Sequence, residues 1–291
     1  MTLDTLIRVG LLASIWLMVL SLGAQASAEQ AVSVLRRPVK LALALTAMFV
    51  VAPALAVLMA ATTSVPAPIK FAIVAMSVGP VPPILAYKQI KAGGDEGYSV
   101  GLLVAASLAS IVLTPLLVAL AAHLLGTQAS IPAAAVVRIV LLTIGLPLAA
   151  GMVLGAVAPK AATAVGKVAQ RAGSLTLLLI FAVMVAAAWR GILGLFGNGA
   201  ALAVAAMVAG GLLIGHLFGG VRHGAALALA TASRHPGVAL AIAQLSYPDQ
   251  RRPMTAAILL YLLITALVTA PYVRWARGRT APFGGHGGAH A

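Results

Sequence analysis

Cysteine is absent from all 291 residues. That excludes disulfides and thiolate metal or redox chemistry. Acidic residues are nearly absent as well: Asp and Glu total 5, against 19 Lys and Arg, and charged residues make up 8% of the chain. The carboxylates are Asp4, Glu29, Asp95, Glu96 and Asp249, each at or beyond the end of an apolar run. None is placed to relay protons or hold a cation in the middle of such a run. Aromatic residues are sparse too, at 5%. The His-Glu-x-x-His, Gly-x-Ser-x-Gly and P-loop patterns are all missing, which leaves metalloprotease, serine hydrolase and ATPase chemistry without a motif. Ser233 and His235 lie close together but have no partner acid. The chain reads as a non-enzyme, with no resident cofactor or metal.

What is present is apolar. Hydrophobic residues make up 62% and mean hydropathy is +1.08, far outside the soluble globular range. The chain is expected to be an all-α integral membrane protein whose main partner is the lipid bilayer. A net charge of +14 would suggest nucleic acid in a soluble protein. Here the basic residues fall between apolar spans, so no nucleic-acid partner is expected.

A crossing helix needs about 20 apolar residues. Nine such spans are legible: 8–27, 41–60, 67–90, 97–122, 132–157, 172–189, 198–221, 224–246 and 254–274. Residues 1–275 then form one membrane domain, followed by a disordered Gly- and His-rich tail at 276–291. Residues 11–26 also resemble a cleavable signal, but the uncharged run from Val9 to Ala28 is long enough to cross, and Arg36 and Arg37 follow as an anchor. A retained helix is the expectation.

Basic residues set the orientation. With the N-terminus outside, the inner segments hold Arg36, Arg37, Lys40, Lys88, Lys91, Lys160, Lys167, Arg171, Arg222, Arg274, Arg277 and Arg279. The outer side holds Arg8, Lys70, Arg138, Arg190, Arg251 and Arg252. The expected arrangement is N-terminus out and C-terminus cytoplasmic, in a plasma (bacterial inner) membrane.

Two spans carry helix breakers, one in each half of the chain. The first reads Gly79-Pro80-Val81-Pro82-Pro83. Proline lacks an N–H, clashes with the preceding turn and pushes the residue before it into extended geometry. Pro82 or Pro83 is expected to start a new half-helix through Ile84 and Leu85. The second break reads Ser233-Arg234-His235-Pro236-Gly237, with Pro236 suited to the first position of a half-helix through Val238. Half-helix starts present unpaired N–H groups and a partial positive charge. Paired breaks of this kind mark the binding site of many carriers.

Arg234 is the most telling residue. A charge at mid-bilayer costs roughly 2.5–3.5 kcal/mol on insertion scales. A plain kink, or a guanidinium bonded to backbone carbonyls, is the structural alternative. His235, beside a cation, is expected to be a neutral hydrogen-bonder. Ser107 and Ser110 are expected to bond their own turns, and Gln244 to serve packing. The Gly211/Gly215/Gly219 series around His216, and the Gly151/Gly155 pair, read as close helix packing.

At this point the chain resembles the bile acid:sodium symporter family, within the wider bile/arsenite/riboflavin-type transporter group. The resemblance runs through Leu35-Arg-Arg-Pro38 and the span ending Val51-Ala52-Pro53. It continues through Lys91 to Asp95, Tyr98-Ser99-Val100 and Thr114-Pro115, and through Thr231 to Gly237. It implies a fold of panel and core domains with two crossed, broken helices. It also implies a ten-helix inverted repeat from which this chain lacks the first helix. The repeats would be 1–127, shortened, and 128–275.

The resemblance further implies secondary active transport of a small organic anion by alternating access. Arg234, His235, Ser233, Pro82, Pro83, Ile84 and Val238 would line the site. Sodium is the family's coupling ion, yet its usual ligands are replaced: Ala230 stands for the Glu, Arg234-His235 for the Gln-Asn, and Met48 for a Gln. A fixed cation about 4 Å from sodium would repel it by ~4 kcal/mol at an effective dielectric of 20. Sodium coupling is therefore not expected. Two other functions fit the same sequence: a transport-inactive sensor or scaffold, and a passive anion channel.

Overall fold

The computed structural model describes residues 3–26, 29, 34–82, 85–126 and 133–280. Among these every regular element is a helix. Helix α1 is Leu3–Gln25 and α2 is Pro38–Ala61, which contains a π turn at Ala47–Val51. Helices α3 (Ala67–Val78) and α4 (Leu85–Lys91) flank the first break. Helix α5 is Glu96–Leu124. Helix α6 begins at Ala133–Val140, passes a π turn at Leu141–Gly145 and ends with Leu146–Val157. Helix α7 is Pro159–Leu193 and α8 is Ala200–Ala232. After the second break come α9 (Pro236–Ser246) and α10 (Arg251–Thr280).

Seven described segments are long and apolar enough to cross a membrane, so the chain is an integral, all-α membrane protein. The seven differ from the nine spans read in the sequence at two places. Ala67–Val78 has only 12 residues and is too short by itself. Ala200–Ala243 runs as one 44-residue stretch, although its backbone doubles back. Gly220 has φ 62 and ψ −161, a conformation essentially restricted to glycine. Chain reversal there places the two halves of α8 against each other. A Cβ on Gly215 would sit 2.6 Å from the Ala228 Cα, and one on Gly219 would sit 2.7 Å from the Gly224 Cα. The glycine series is thus a packing seam, as its spacing predicts.

Helix α1 packs chiefly on α7 and α6. Its contact with α6 is a second glycine seam: a Cβ on Gly151 would strike the Leu20 carbonyl and lie 2.7 Å from the Ala24 N. The other helices pack mainly among themselves, with α2, α4, α5 and α10 against the α8 hairpin and α3 and α9 against each other and α10. Helix α7 has 35 residues, roughly 52 Å at 1.5 Å per residue. It exceeds the ~30 Å hydrocarbon layer, and its first turns carry Lys160, Lys167 and Arg171. Its exposed Leu175, Leu178 and Leu179 form a face suited to lipid. Helix α10 continues to Thr280, past the boundary at 275 read from the sequence. Residues 281–291 lie outside the described part.

Candidate functional site

The two breaks meet. Helix α3 stops at Val78, and Gly79 is extended at φ −63 and ψ 158. Helix α8 stops at Ala232, with Ser233 and His235 extended. The His235 N–H donates to the Pro80 carbonyl at 2.8 Å, tying one broken segment to the other. Each interruption releases carbonyls that the lost turns would have used, and nearby groups take them. The Thr114 hydroxyl donates to the Val78 carbonyl at 3.0 Å, and the Tyr261 hydroxyl donates to the Ala232 carbonyl at 3.4 Å. The Pro82 carbonyl accepts the Leu85 N–H at 2.9 Å, starting α4. Pro83 and Ile84, expected in the binding set, lie outside the described residues.

Pro236 opens α9, as its lack of an N–H favours. His235 is the N-cap, and its Nδ1 accepts the Gly237 N–H at 3.1 Å. An accepting Nδ1 puts the ring proton on Nε2 in the neutral tautomer. Val238 is buried one turn further on.

Arg234 is 2% exposed and His235 0% exposed. Arg234 Nη2 donates to the Met48 carbonyl of α2, and the guanidinium lies 5.6 Å from the centroid of the Phe49 ring. The acceptor has a local cause. In the π turn the Ala52 N–H bonds the Ala47 carbonyl. The next bond of that series would come from residue 53, which is proline. The Met48 carbonyl is left for a side chain. The same device recurs in α6, where the Leu146 N–H bonds the Leu141 carbonyl and Pro147 follows. There the Trp16 indole N–H donates to the Leu142 carbonyl at 2.9 Å. Sequence reading placed Met48 only by resemblance and missed Phe49 and Tyr261. A proline five residues after Met48 is the signal that marks the free carbonyl.

Arg234 Nε and Nη1 and His235 Nε2 are buried and have no hydrogen-bond partner. Each is a buried donor without a partner, which is costly unless an acceptor compensates. Of the other residues read in the sequence, the Ser110 hydroxyl donates to the Ser107 carbonyl at 2.6 Å, as a turn bond. His216 Nδ1 pairs with the Tyr272 hydroxyl at 2.7 Å, apart from the crossing. Ser233 is half-buried. The Gln244 side chain lies outside the described part. No group of His, Asp and Glu suited to a metal ion occurs among the described residues.

A crevice runs between the two helix groups. Its mouth is a cavity of about 910 Å³ bordered by α1, α7, α9 and α10, with Arg8, Arg251 and Arg252 among its residues. A narrow inner cavity shares Leu11, Met184 and Leu240 with the mouth and reaches Pro236 and Gly237. Arg234 lines neither. The crevice stops at the first residues of α9, next to the crossing.

The model of the Sodium Bile acid symporter family matches residues 12–195. That stretch contains the first break and ends before the second. No curated protein matches the chain.

Proposed function

The chain belongs to the sodium bile acid symporter family, and from that membership we propose that it carries an organic anion across the plasma (bacterial inner) membrane by alternating access, without sodium. The observation that carries this reading is the helix crossing with its buried, carboxylate-free guanidinium. Unwound backbone at membrane depth is tolerated where it is buried or lines a path, and secondary carriers build their sites there. Arg234 Nε and Nη1, together with the His235 Nε2 proton, are three donors of the kind that hold a carboxylate or sulfonate. Ser233 and the N-terminal turn of α9 at Pro236, Gly237 and Val238 complete the set in this reading, with Pro82, Pro83 and Ile84 of the first break as the partners the sequence offers.

In this reading Arg234 also takes the place of the coupling cation. Unwound carbonyls bind sodium in many carriers. Here the free Met48 carbonyl is already bonded to a covalently attached positive charge. The α8 hairpin counts as two crossings and α3 with α4 as one, which makes nine. Helices α1, α6 and α7 form a panel and the remaining helices a core, in repeats 1–127 and 128–275. The N-terminus is outside and the C-terminus cytoplasmic. The panel rocks against the core along the crevice between them, opening Arg234 to one side and then the other.

The test is uptake of labelled taurocholate, a sulfonate, into proteoliposomes of purified protein. Saturable uptake should persist when choline replaces sodium, and Arg234→Ala should reduce it at least ~100-fold, the loss of one buried charge-assisted bond pair. Uptake that requires sodium, or that survives in a monodisperse Arg234→Ala protein, would refute the proposal.

A further inference from the structure

The mouth of the crevice has a chemistry of its own. Its cavity of about 910 Å³ has apolar walls, Ile7, Leu11, Met184 and Leu240 among them, and a basic rim of Arg8, Arg251 and Arg252. All three arginines are exposed. Arg8 stands one helical turn after Asp4, so part of its charge has a neighbouring acid in the sequence. Arg251 and Arg252 share one acid, Asp249, which stands two and three residues before them. They are the first two residues of α10, whose first turn holds no acid. A helix N-terminus already carries partial positive charge, so guanidinium groups there are less favourably placed than at a C-terminus. Asp249, in the preceding turn, is exposed. Among the described residues the ion pair found is Arg222–Asp95, which involves neither arginine. The rim therefore carries more positive than negative charge, and a cleft mouth of one sign attracts ions of the other.

We infer that this vestibule is a second anion site, separate from Arg234, that holds molecules bearing at least two negative charges on an apolar body. Two sources supply that chemistry: a soluble amphipathic dianion, or a membrane lipid with two phosphates. The cavity volume suits either a drug-sized molecule or a lipid head with its first methylenes. Basic residues at a cleft mouth raise the local anion concentration and depend steeply on salt. The vestibule therefore selects by valence before the inner site selects by shape. This inference depends on the crevice and its rim, and does not require that transport be sodium-free.

The experiment uses the full chain in phosphatidylcholine nanodiscs, titrated calorimetrically with naphthalene-1-sulfonate and naphthalene-1,5-disulfonate. The two probes share one ring system and differ by one charge. At 50 mM salt the disulfonate should bind about tenfold tighter, the effect of one further charge near two guanidinium groups. At 300 mM salt that preference should shrink several-fold. The double variant Arg251→Gln/Arg252→Gln, changed only at exposed side chains, should lose the preference, and Arg234→Gln should keep it. Equal binding of the two probes by the wild type, or a preference that survives in the double variant, would overturn the inference. Adding cardiolipin to the nanodiscs identifies the source. Displacement of the disulfonate assigns the site to lipid and unchanged binding assigns it to a soluble ligand; both uphold a dianion site. Loss of taurocholate uptake in Arg234→Gln with the disulfonate preference intact would separate this site from the inner one.

Discussion

Arg234 is held by one backbone carbonyl and one aromatic ring, with two of its nitrogens unsatisfied. A guanidinium in that condition is a poor stabilising element. Replacing buried ionic groups with apolar side chains of similar volume is often neutral or stabilising by about 1–4 kcal/mol. Arg234→Met should therefore raise the melting temperature of the detergent-purified protein, or leave it unchanged, while abolishing uptake. A fall in melting temperature of many degrees would instead make Arg234 a structural strut. Arg234 was legible in the sequence because a charge inside an apolar run is rare and expensive. Its acceptor was not: backbone carbonyls look alike in a sequence, and the contact spans 186 positions.

Prolines decide which elements break and which only bend. Where Pro80 and Pro82 follow Gly79, the helix is lost and the chain crosses another break. Where Pro53 or Pro147 stands alone, the helix absorbs the missing N–H through a π turn. The breaks at 79–83 and 233–237 were readable because several breakers coincide. The π turns were not, since a lone proline in an apolar run reads as a kink. The α8 reversal sits between these cases: the spans were divided at 221–224, but the Gly220 conformation that permits it depends on backbone geometry no composition specifies. Pro53→Ala returns an N–H to α2, giving the freed carbonyls a helical partner and removing the reason for the π turn. Arg234 then loses its acceptor, and the maximal uptake rate should drop about tenfold, equivalent to ~1.4 kcal/mol. Pro147→Ala makes the same backbone change beside Trp16, away from the crossing, and should stay within about twofold of wild type. Equal losses in the two variants would mean that helix shape alone, and not the Arg234 contact, sets the rate.

At the scale of the whole molecule, the number of crossings fixes which residues share a side of the membrane. The Ala200–Ala243 stretch, if threaded as one span, puts residues 198 and 251 on opposite sides. Threaded as a hairpin about Gly220 plus the broken helix, it returns the chain to its starting side. Residues 198 and 251 then share a side, with Arg222 across from them. The packing of Gly215 on Ala228 and of Gly219 on Gly224 favours the hairpin, because a single straight crossing cannot bring those pairs together. The absence of cysteine makes labelling direct. In intact cells, Asn198→Cys and Arg251→Cys should react with a membrane-impermeant maleimide, as should Arg8→Cys at the same mouth. Arg222→Cys should react only after permeabilisation. Labelling of Arg222→Cys from outside, with the other three protected, would invert the orientation that the basic residues imply. Labelling of Asn198→Cys and Arg251→Cys from opposite sides would remove the hairpin, and with it the geometry that brings the second break onto the first.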